Sequence, residues 1–329
     1  MRVPRRLPLV LCCALLALLA TLSSAVTAAP IKMAVMGDSI SAGSNGNWIG
    51  HLNKSYPGAI TFLNSAKGGA TTDTVISGQL NTVVGQATKG QIDHSTLIIG
   101  GNNPGSQTTL TNILLGNSTP FIQNYFDDVK LIIDSVKTAG PGVRQVFANM
   151  PDVTVTPKVY ATALALADDY GLTEEDVPLL LEIVSTAIGQ ANALANAYAL
   201  SQNVPVIDLY TASQTVLDGD SFLLGGHTYT TAFAADDFHP AGWVQGLLAN
   251  MVTTAYNLNW GETLPQLSDQ QIVANTGFTP SGAPSYFNIR PFILLPVPEP
   301  STWAIVLSGA TIGVAQAWRV RRRKATTRV

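Results

Sequence analysis

Cysteine is scarce in this sequence: of 329 residues only Cys12 and Cys13 are cysteines, and both lie in an apolar segment near the N-terminus. Residues 29–297 therefore have no disulfide, no thiolate nucleophile and no cysteine ligand for zinc. The bulky Leu11 before Cys12 also disfavours a lipoprotein acceptor site, where a small residue is needed.

Positive charge is scarce in the same region. Residues 29–297 carry 9 Lys and Arg against 20 Asp and Glu, which leaves a net charge of −11. Because nucleic acids and anionic lipid headgroups are negatively charged, this balance argues against both as partners. The region has about 270 residues, enough for one sizeable α/β core.

Residues 1–28 have the pattern of a secretory signal peptide. Three arginines precede an apolar run from Leu7 to Leu22, and Val26-Thr27-Ala28 places small residues at positions −3 and −1 of a cleavage site. An uncleaved anchor helix is the alternative. We expect signal peptidase to cleave this segment and the rest of the chain to be exported.

Residues 298–329 hold three features in a fixed order. Pro298-Glu299-Pro300 comes first, then an apolar stretch from Ala304 to Ala317 between two tryptophans, then the basic run Arg319–Lys324. The span Ser301–Trp318 has 18 residues, near the short limit for a transmembrane helix. Tryptophans suit membrane interfaces, and the basic tail should stay cytoplasmic.

This C-terminal block resembles the PEP-CTERM sorting signal of Gram-negative bacteria that produce exopolysaccharide. The resemblance implies transient inner-membrane anchoring, processing by an exosortase near Pro298-Glu299-Pro300, and release to the cell surface or extracellular matrix. An ordinary C-terminal membrane anchor is the alternative.

Strand-like apolar runs alternate with helical patterns between these two ends. Five strands are predicted, at Ile31–Met36, Ala59–Leu63, Thr96–Ile99, Gln145–Ala148 and Val204–Leu209. The clearest helical stripe lies in 120–139 and comprises Phe121, Tyr125, Val129, Ile132, Ile133 and Val136. The alternation predicts a parallel sheet covered on both faces, with a site at the carboxyl ends of its strands.

Two further regions stand out. Residues 156–203 are helical in pattern and rich in Ala and Leu, which predicts a helical insertion that acts either as a lid or as scaffold. A last helix is predicted at 241–258. Residues 259–297 have little periodicity and are interpreted as an extension and spacer.

The Gly-Asp-Ser turn after the first strand supplies a candidate nucleophile. Gly37 permits a sharp turn, and Ser39 is left near the start of the next helix, where free backbone N–H groups can face an oxyanion. The residue two after Ser39 is Ser41, so this is not a Gly-x-Ser-x-Gly elbow.

His239 is the candidate base. Asp236, three residues before it, can place its carboxylate beside the imidazole and fix its tautomer. The other histidines in this part of the chain, His51, His94 and His227, are predicted to be surface or loop residues.

Two loops after predicted strands are candidate oxyanion holes. One runs from Asn64 to Thr72 and contains Gly68-Gly69, which lets the backbone approach a ligand. The other is Gly100-Gly101-Asn102-Asn103, whose amide side chains can donate hydrogen bonds. For either loop alone, an ordinary βα turn is the alternative.

Together these four blocks resemble the SGNH hydrolases, also called the GDSL esterase and lipase family, over most of residues 31–258, and we assign the domain to 29–258. The resemblance implies a three-layer α/β/α sandwich with a five-stranded parallel sheet in the order 2-1-3-4-5. It also implies Ser39 as nucleophile, His239 as base and Asp236 as its orienter. The oxyanion hole would be the N–H groups of Ser39 and Gly69 with the Asn102 side chain. Asn103 departs from the family, which usually has Asp there.

The function expected from this resemblance is a secreted serine ester hydrolase that works through an acyl-enzyme, with no cofactor and no metal. Its substrate would be a lipid ester or an O-acetylated polysaccharide. The alternative is a non-catalytic carbohydrate-binding protein of the cell surface or matrix on the same fold.

Overall fold

A computed structural model describes residues 30–43, 46–169, 171–216, 221–281 and 288–296. The predicted signal peptide and the predicted sorting segment lie outside the described residues.

A six-stranded sheet with the order β2-β1-β3-β4-β5-β8 forms the centre, and β6 and β7 make a separate hairpin. The strands are β1 (Ile31–Gly37), β2 (Ile60–Asn64), β3 (His94–Ile98), β4 (Arg144–Ala148), β5 (Val206–Ile207), β6 (Phe222–Leu224), β7 (His227–Tyr229) and β8 (Ile293–Leu294). Strands β1 to β5 are parallel, which confirms the predicted order 2-1-3-4-5.

The predicted number of strands, five, was wrong, because β8 adds to the sheet as a sixth, antiparallel edge strand. It pairs Leu294 with Val206 and Ile293 with Ile207. A strand of two residues is too short to show an alternating pattern, so no periodicity could predict it.

Helices cover both faces of the sheet. They are α1 (Trp48–Ser55), α2 (Thr72–Val75), α3 (Asn81–Thr88), α4 (Gln107–Leu114), α5 (Thr119–Ala139), α6 (Pro157–Asp169), α7 (Val177–Ser201), α8 (Leu209–Val216), α9 (Gly242–Trp260) and α10 (Asp269–Asn275). Successive residues of β1 point to opposite faces. Met33 and Val35 pack with α1 and α9, whereas Ala34 and Met36 pack with α3 and α5. The predicted three-layer sandwich is therefore confirmed.

The predicted insertion consists of α6 and α7. The apolar stripe predicted on α5 is buried, and α7 packs against it through small residues such as Ala187, Ala191 and Ala195. Within the described ranges one helical segment, Glu174–Ser201, is long and apolar enough to cross a membrane by length and composition, with a mean hydropathy of 1.3. In this fold it lies on the sheet as scaffold.

Residues 261–281 pack along α9 through paired amide bonds. Asn250 donates from Nδ2 to the Leu267 carbonyl (2.8 Å) and accepts from the Leu267 N–H (2.7 Å). Asn257 bonds the C=O and N–H of Leu264 in the same way, at 3.0 and 2.7 Å. We call such a pair, in which one side-chain amide bonds both backbone groups of a distant residue, an amide clamp.

Two histidines predicted to be surface or loop residues are buried, so that prediction was wrong. His94 begins β3, and its Nε2 lies 2.8 Å from Glu262, which also accepts from Arg144 at 2.5 Å. His51 is buried on α1, and burial lowers its pKa. The partner of His94 lies 168 residues later, beyond the reach of any local pattern. His227 lies in the hairpin, half-buried and stacked on Phe278.

The close approach of β1 and β3 at Gly37 yields a stability prediction. Gly37 has φ 151°, and a Cβ there would lie 2.1 Å from the Ile98 carbonyl oxygen. Gly37→Ala should therefore lower the free energy of unfolding by about 4 kcal/mol or more, measured by urea denaturation. Gly68→Ala is the matched control, because its Cβ would meet open space. Equal stability of the two variants would contradict the prediction.

Candidate active site

A cleft with about 950 Å³ of empty space, part of it open to solvent, lies at the carboxyl ends of β1, β3, β4 and β5. Asp38, Ser39, Asn102 and His239 line its polar end. The other walls are mostly apolar and include Ile40, Val153, Val155, Phe233, Phe238, Leu247, Leu248 and Met251. Of the described residues in the predicted insertion 156–203, only Thr156 lines this cleft, so the body of α6 and α7 does not form a lid over it.

Ser39, His239 and Asp236 form one hydrogen-bonded line. Ser39 Oγ lies 2.7 Å from His239 Nε2, and the other ring nitrogen, Nδ1, bonds Asp236 Oδ2. With its Nδ1 proton directed at the carboxylate, the imidazole can accept the serine proton at Nε2. The structure thus brings together three residues that span 200 positions of the chain.

The loop that carries His239 is built by local hydrogen bonds. Asp236 Oδ1 accepts the N–H groups of Phe238 (3.1 Å) and His239 (3.0 Å), and Asp237 takes a left-handed φ of 58°, which Asp tolerates. The bond from the His239 ring, followed by that from its N–H, holds the pKa of Asp236 below its ordinary value. Asp236 is therefore an anion that is hydrogen-bonded to the ring.

The turn that carries Ser39 is held by two amide side chains. Gln79 clamps Gly37: its Oε1 accepts the Gly37 N–H and its Nε2 donates to the Gly37 carbonyl, both at 2.9 Å. Asn64 Nδ2 donates to the carbonyls of Ser41 and Gly43, both at 2.8 Å. The turn is thereby fixed on both sides of Ser39.

Gln79 is a residue that the sequence analysis missed. It lies in a π-helical turn, Ile76–Leu80, between α2 and α3, and it is buried. The available signal was a polar residue between Val75 and Val83, on what is otherwise an apolar stripe. Such π turns are frequent at functional sites.

A second missed residue is Asn192 of α7. Its Oδ1 accepts the Met150 N–H (3.1 Å) and its Nδ2 donates to the Met150 carbonyl (2.8 Å). This amide clamp holds the chain just after β4, where the apolar cleft begins. The insertion therefore helps to hold the segment after β4 that borders the cleft.

The predicted oxyanion donors have free hydrogen-bonding capacity. The backbone N–H groups of Ser39 and Gly69 bond no other described residue. One N–H of the Asn102 amide donates to the Ala70 carbonyl at 3.0 Å, and an amide nitrogen carries two donors. Asn102 lines the cleft directly, whereas Gly69, at φ 73°, lies outside its lining and next to Ala70.

Asn103, the departure from the family pattern, has a specific partner. Its Oδ1 accepts the Thr72 N–H (3.2 Å), and its Nδ2 donates to Thr72 Oγ1 (2.8 Å). The Thr72 hydroxyl donates its one hydrogen to Asp128 Oδ2, at 2.6 Å. Position 103 must therefore donate, which an amide does and an ionised carboxylate does not.

Asp38 is buried directly beside Ser39. Burial raises its pKa from 3.8 to about 6, although the Ile40 N–H, which donates to Oδ1 at 3.0 Å, works in the opposite direction. Asp38 therefore keeps its proton to an unusually high pH.

The arrangement can perform nucleophilic catalysis, because a hydroxyl, a base and an orienting carboxylate lie within hydrogen-bonding reach. Among the described ranges no cluster of three or more His, Cys, Asp or Glu could hold a metal ion. The fold and this arrangement are typical of hydrolases that use a serine nucleophile.

Residues 35–242 match the GDSL-like Lipase/Acylhydrolase family, so the chain belongs to that family and is a carboxylic ester hydrolase.

Three solved structures are similar to this chain. An extracellular lipase from Streptomyces rimosus has 18% identity and a TM-score of 0.44, with 66% of this chain and 95% of the other covered. Phospholipase A1 from Streptomyces albidoflavus NA297 has 18% identity, the same coverages and a TM-score of 0.42. An acetyl xylan esterase has 14% identity and a TM-score of 0.44, with coverages of 68% and 99%. No curated protein matches the sequence.

The chain of bonds from Asn103 to Asp128 yields a second prediction. In Asn103→Asp, two carboxylates compete for the single Thr72 proton, so the free energy of unfolding at pH 8 should fall by about 1–3 kcal/mol. Adding Asp128→Asn should restore most of it, because that amide can donate to Thr72. Urea denaturation of the three proteins measures this, and a double variant no more stable than Asn103→Asp would contradict it.

A third prediction concerns pH. Unfolded Asp38 ionises with a pKa of 3.8, whereas folded Asp38 ionises at about 6, so its contribution to stability is full below pH 3.8 and is lost as the pH rises through 6. Asp38→Asn removes this loss. The unfolding free energy of Asp38→Asn minus that of the unsubstituted chain should therefore rise by about 2–3 kcal/mol from pH 4 to pH 7. Urea denaturation of both proteins at the two pH values tests this, and a difference in unfolding free energy that does not change between pH 4 and pH 7 would contradict the prediction.

Proposed function

We propose that this chain is an exported serine ester hydrolase in which Ser39 is the nucleophile, His239 the general base and Asp236 the residue that orients it. The observation that carries the proposal is the 2.7 Å contact between Ser39 Oγ and His239 Nε2, on an imidazole whose Nδ1 bonds Asp236.

In the proposed mechanism, Ser39 Oγ attacks the ester carbonyl while His239 Nε2 takes its proton. The oxyanion receives hydrogen bonds from the Ser39 and Gly69 N–H groups and from the second N–H of Asn102. Each such donor contributes about 10²–10³ to the rate. His239 then protonates the leaving alcohol, and a water molecule, activated by the same imidazole, cleaves the acyl-enzyme.

The apolar cleft supports an acyl chain longer than acetyl. Aliphatic and aromatic side chains from five segments line it, including Ile40, Val155, Phe233, Phe238 and Met251. Each buried methylene contributes about 0.8 kcal/mol to binding. We therefore place an acyl chain of intermediate length in this cleft, and a lipid-like ester is favoured over an acetylated polysaccharide.

Export is supported by sequence patterns outside the described residues. Residues 1–28 have the pattern of a signal peptide, and 298–329 resemble a PEP-CTERM signal. On this proposal the domain is anchored transiently at the inner membrane, is processed by signal peptidase and an exosortase, and acts at the cell surface or in the matrix of a Gram-negative bacterium.

The test of the proposed function combines turnover with labelling. The full chain should hydrolyse p-nitrophenyl octanoate faster than the acetate and should form a fluorophosphonate adduct on Ser39. Ser39→Ala should abolish the adduct and lower kcat by at least about 10⁴-fold. Ser77→Ala, at an exposed serine outside the cleft, is the control and should keep full activity. A folded chain with no adduct would favour the non-catalytic carbohydrate-binding alternative instead.

A further inference from the structure

A second groove adjoins the apolar cleft, and Asn102 lines both. It is formed by the loop before α2, the loop after β3, and helices α4 and α5. We call it the polar groove, and its rim is defined by Thr71, Asp73, Asn103, Asn112, Asn117 and Asn124. Asn102 is a proposed oxyanion donor. An ester whose carbonyl is held at Asn102 therefore has either its acyl half or its alcohol half within reach of the second groove.

The polar groove offers hydrogen-bonding groups that the fold does not use. The side-chain amides of Asn112, Asn117 and Asn124 bond no described residue, and neither does the Asp73 carboxylate. Each free amide presents both donors and acceptors. Such a set matches the vicinal hydroxyl groups of a sugar, each of which also donates and accepts.

The charge of the polar groove excludes an acidic ligand. Its lining contains two carboxylates, Asp73 and Asp128, and no Lys, Arg or His. Burial is the main cause that raises the pKa of Asp128; the Thr72 hydroxyl that donates to it works in the opposite direction, and the nearby Asp73 and Asp127 add smaller raising effects. A phosphate headgroup would be repelled here, whereas a neutral polyol would not.

We propose that the polar groove binds the alcohol half of the substrate, and that this half is a neutral sugar. This rests on the proposed function, in which the apolar cleft binds the acyl half. The substrate class is then an acyl ester of a carbohydrate: an acyl chain of intermediate length joined to a sugar hydroxyl.

The experiment compares three octanoyl esters on the full chain: 6-O-octanoyl glucose, 1-octanoyl glycerol 3-phosphate and p-nitrophenyl octanoate. The sugar ester should have a higher kcat/KM than the phosphate ester. In the double variant Asn112→Ala, Asn124→Ala, the ratio of kcat/KM for the sugar ester to that for p-nitrophenyl octanoate should fall by about 10- to 100-fold, since two hydrogen bonds are lost. The loss should fall mainly on KM. Asn53→Ala, at an exposed asparagine of α1, is the matched control.

Three outcomes would overturn the proposal: an unchanged ratio in the double variant, an equal fall for the control, or preference for the phosphate ester. Absence of turnover for all three esters would instead overturn the proposed function. In that case octyl glucoside still tests the polar groove: it should bind the full chain, measured by calorimetry, and the double variant should weaken that binding. Equal binding by both proteins would overturn the proposal.

Discussion

The position of Ser39 depends on how β1 ends. At Gly37 the strand passes so close to Ile98 that no side chain fits, and Gln79 bonds both backbone groups of the same glycine. The Gly37 carbonyl also accepts the Lys67 N–H at 3.1 Å, so three bonds fix this residue where the chain leaves the sheet. Ser39 is thereby presented at the edge where His239 arrives from the other end of the domain.

The same amide clamp recurs at three further places, each between a helix and an irregular segment. Asn192 holds Met150 beside the cleft, while Asn250 and Asn257 hold Leu267 and Leu264 along α9. Only 12% of the residues are charged, and these clamps join distant segments through uncharged groups. A clamp satisfies both amide atoms and both backbone groups, so it can be buried at little cost in free energy and at any pH.

Much of the fold was predictable because its signals are local. The five parallel strands, the buried stripe of α5 and the helical insertion each follow from a run of neighbouring residues. The failures have one cause. β8, the burial of His94 against Glu262 and the role of Gln79 each depend on a partner far away in sequence. The periodicity of apolar residues in the sequence does not indicate such a partner.

The sequence by itself determined which chemical groups are present and in what order: a serine after a first strand, amide-bearing loops after two others, and Asp236 three residues before His239. The pairing of Asp236 with His239 was predictable because the two residues are only three positions apart, within one turn of the chain. Only the tertiary structure decided that Ser39 meets His239, that Asn103 must donate to a Thr72 already committed to Asp128, and that Asn102 lies between an apolar cleft and the polar groove. Distances and free hydrogen-bonding groups are properties of the folded surface, because residues from separate segments create them jointly.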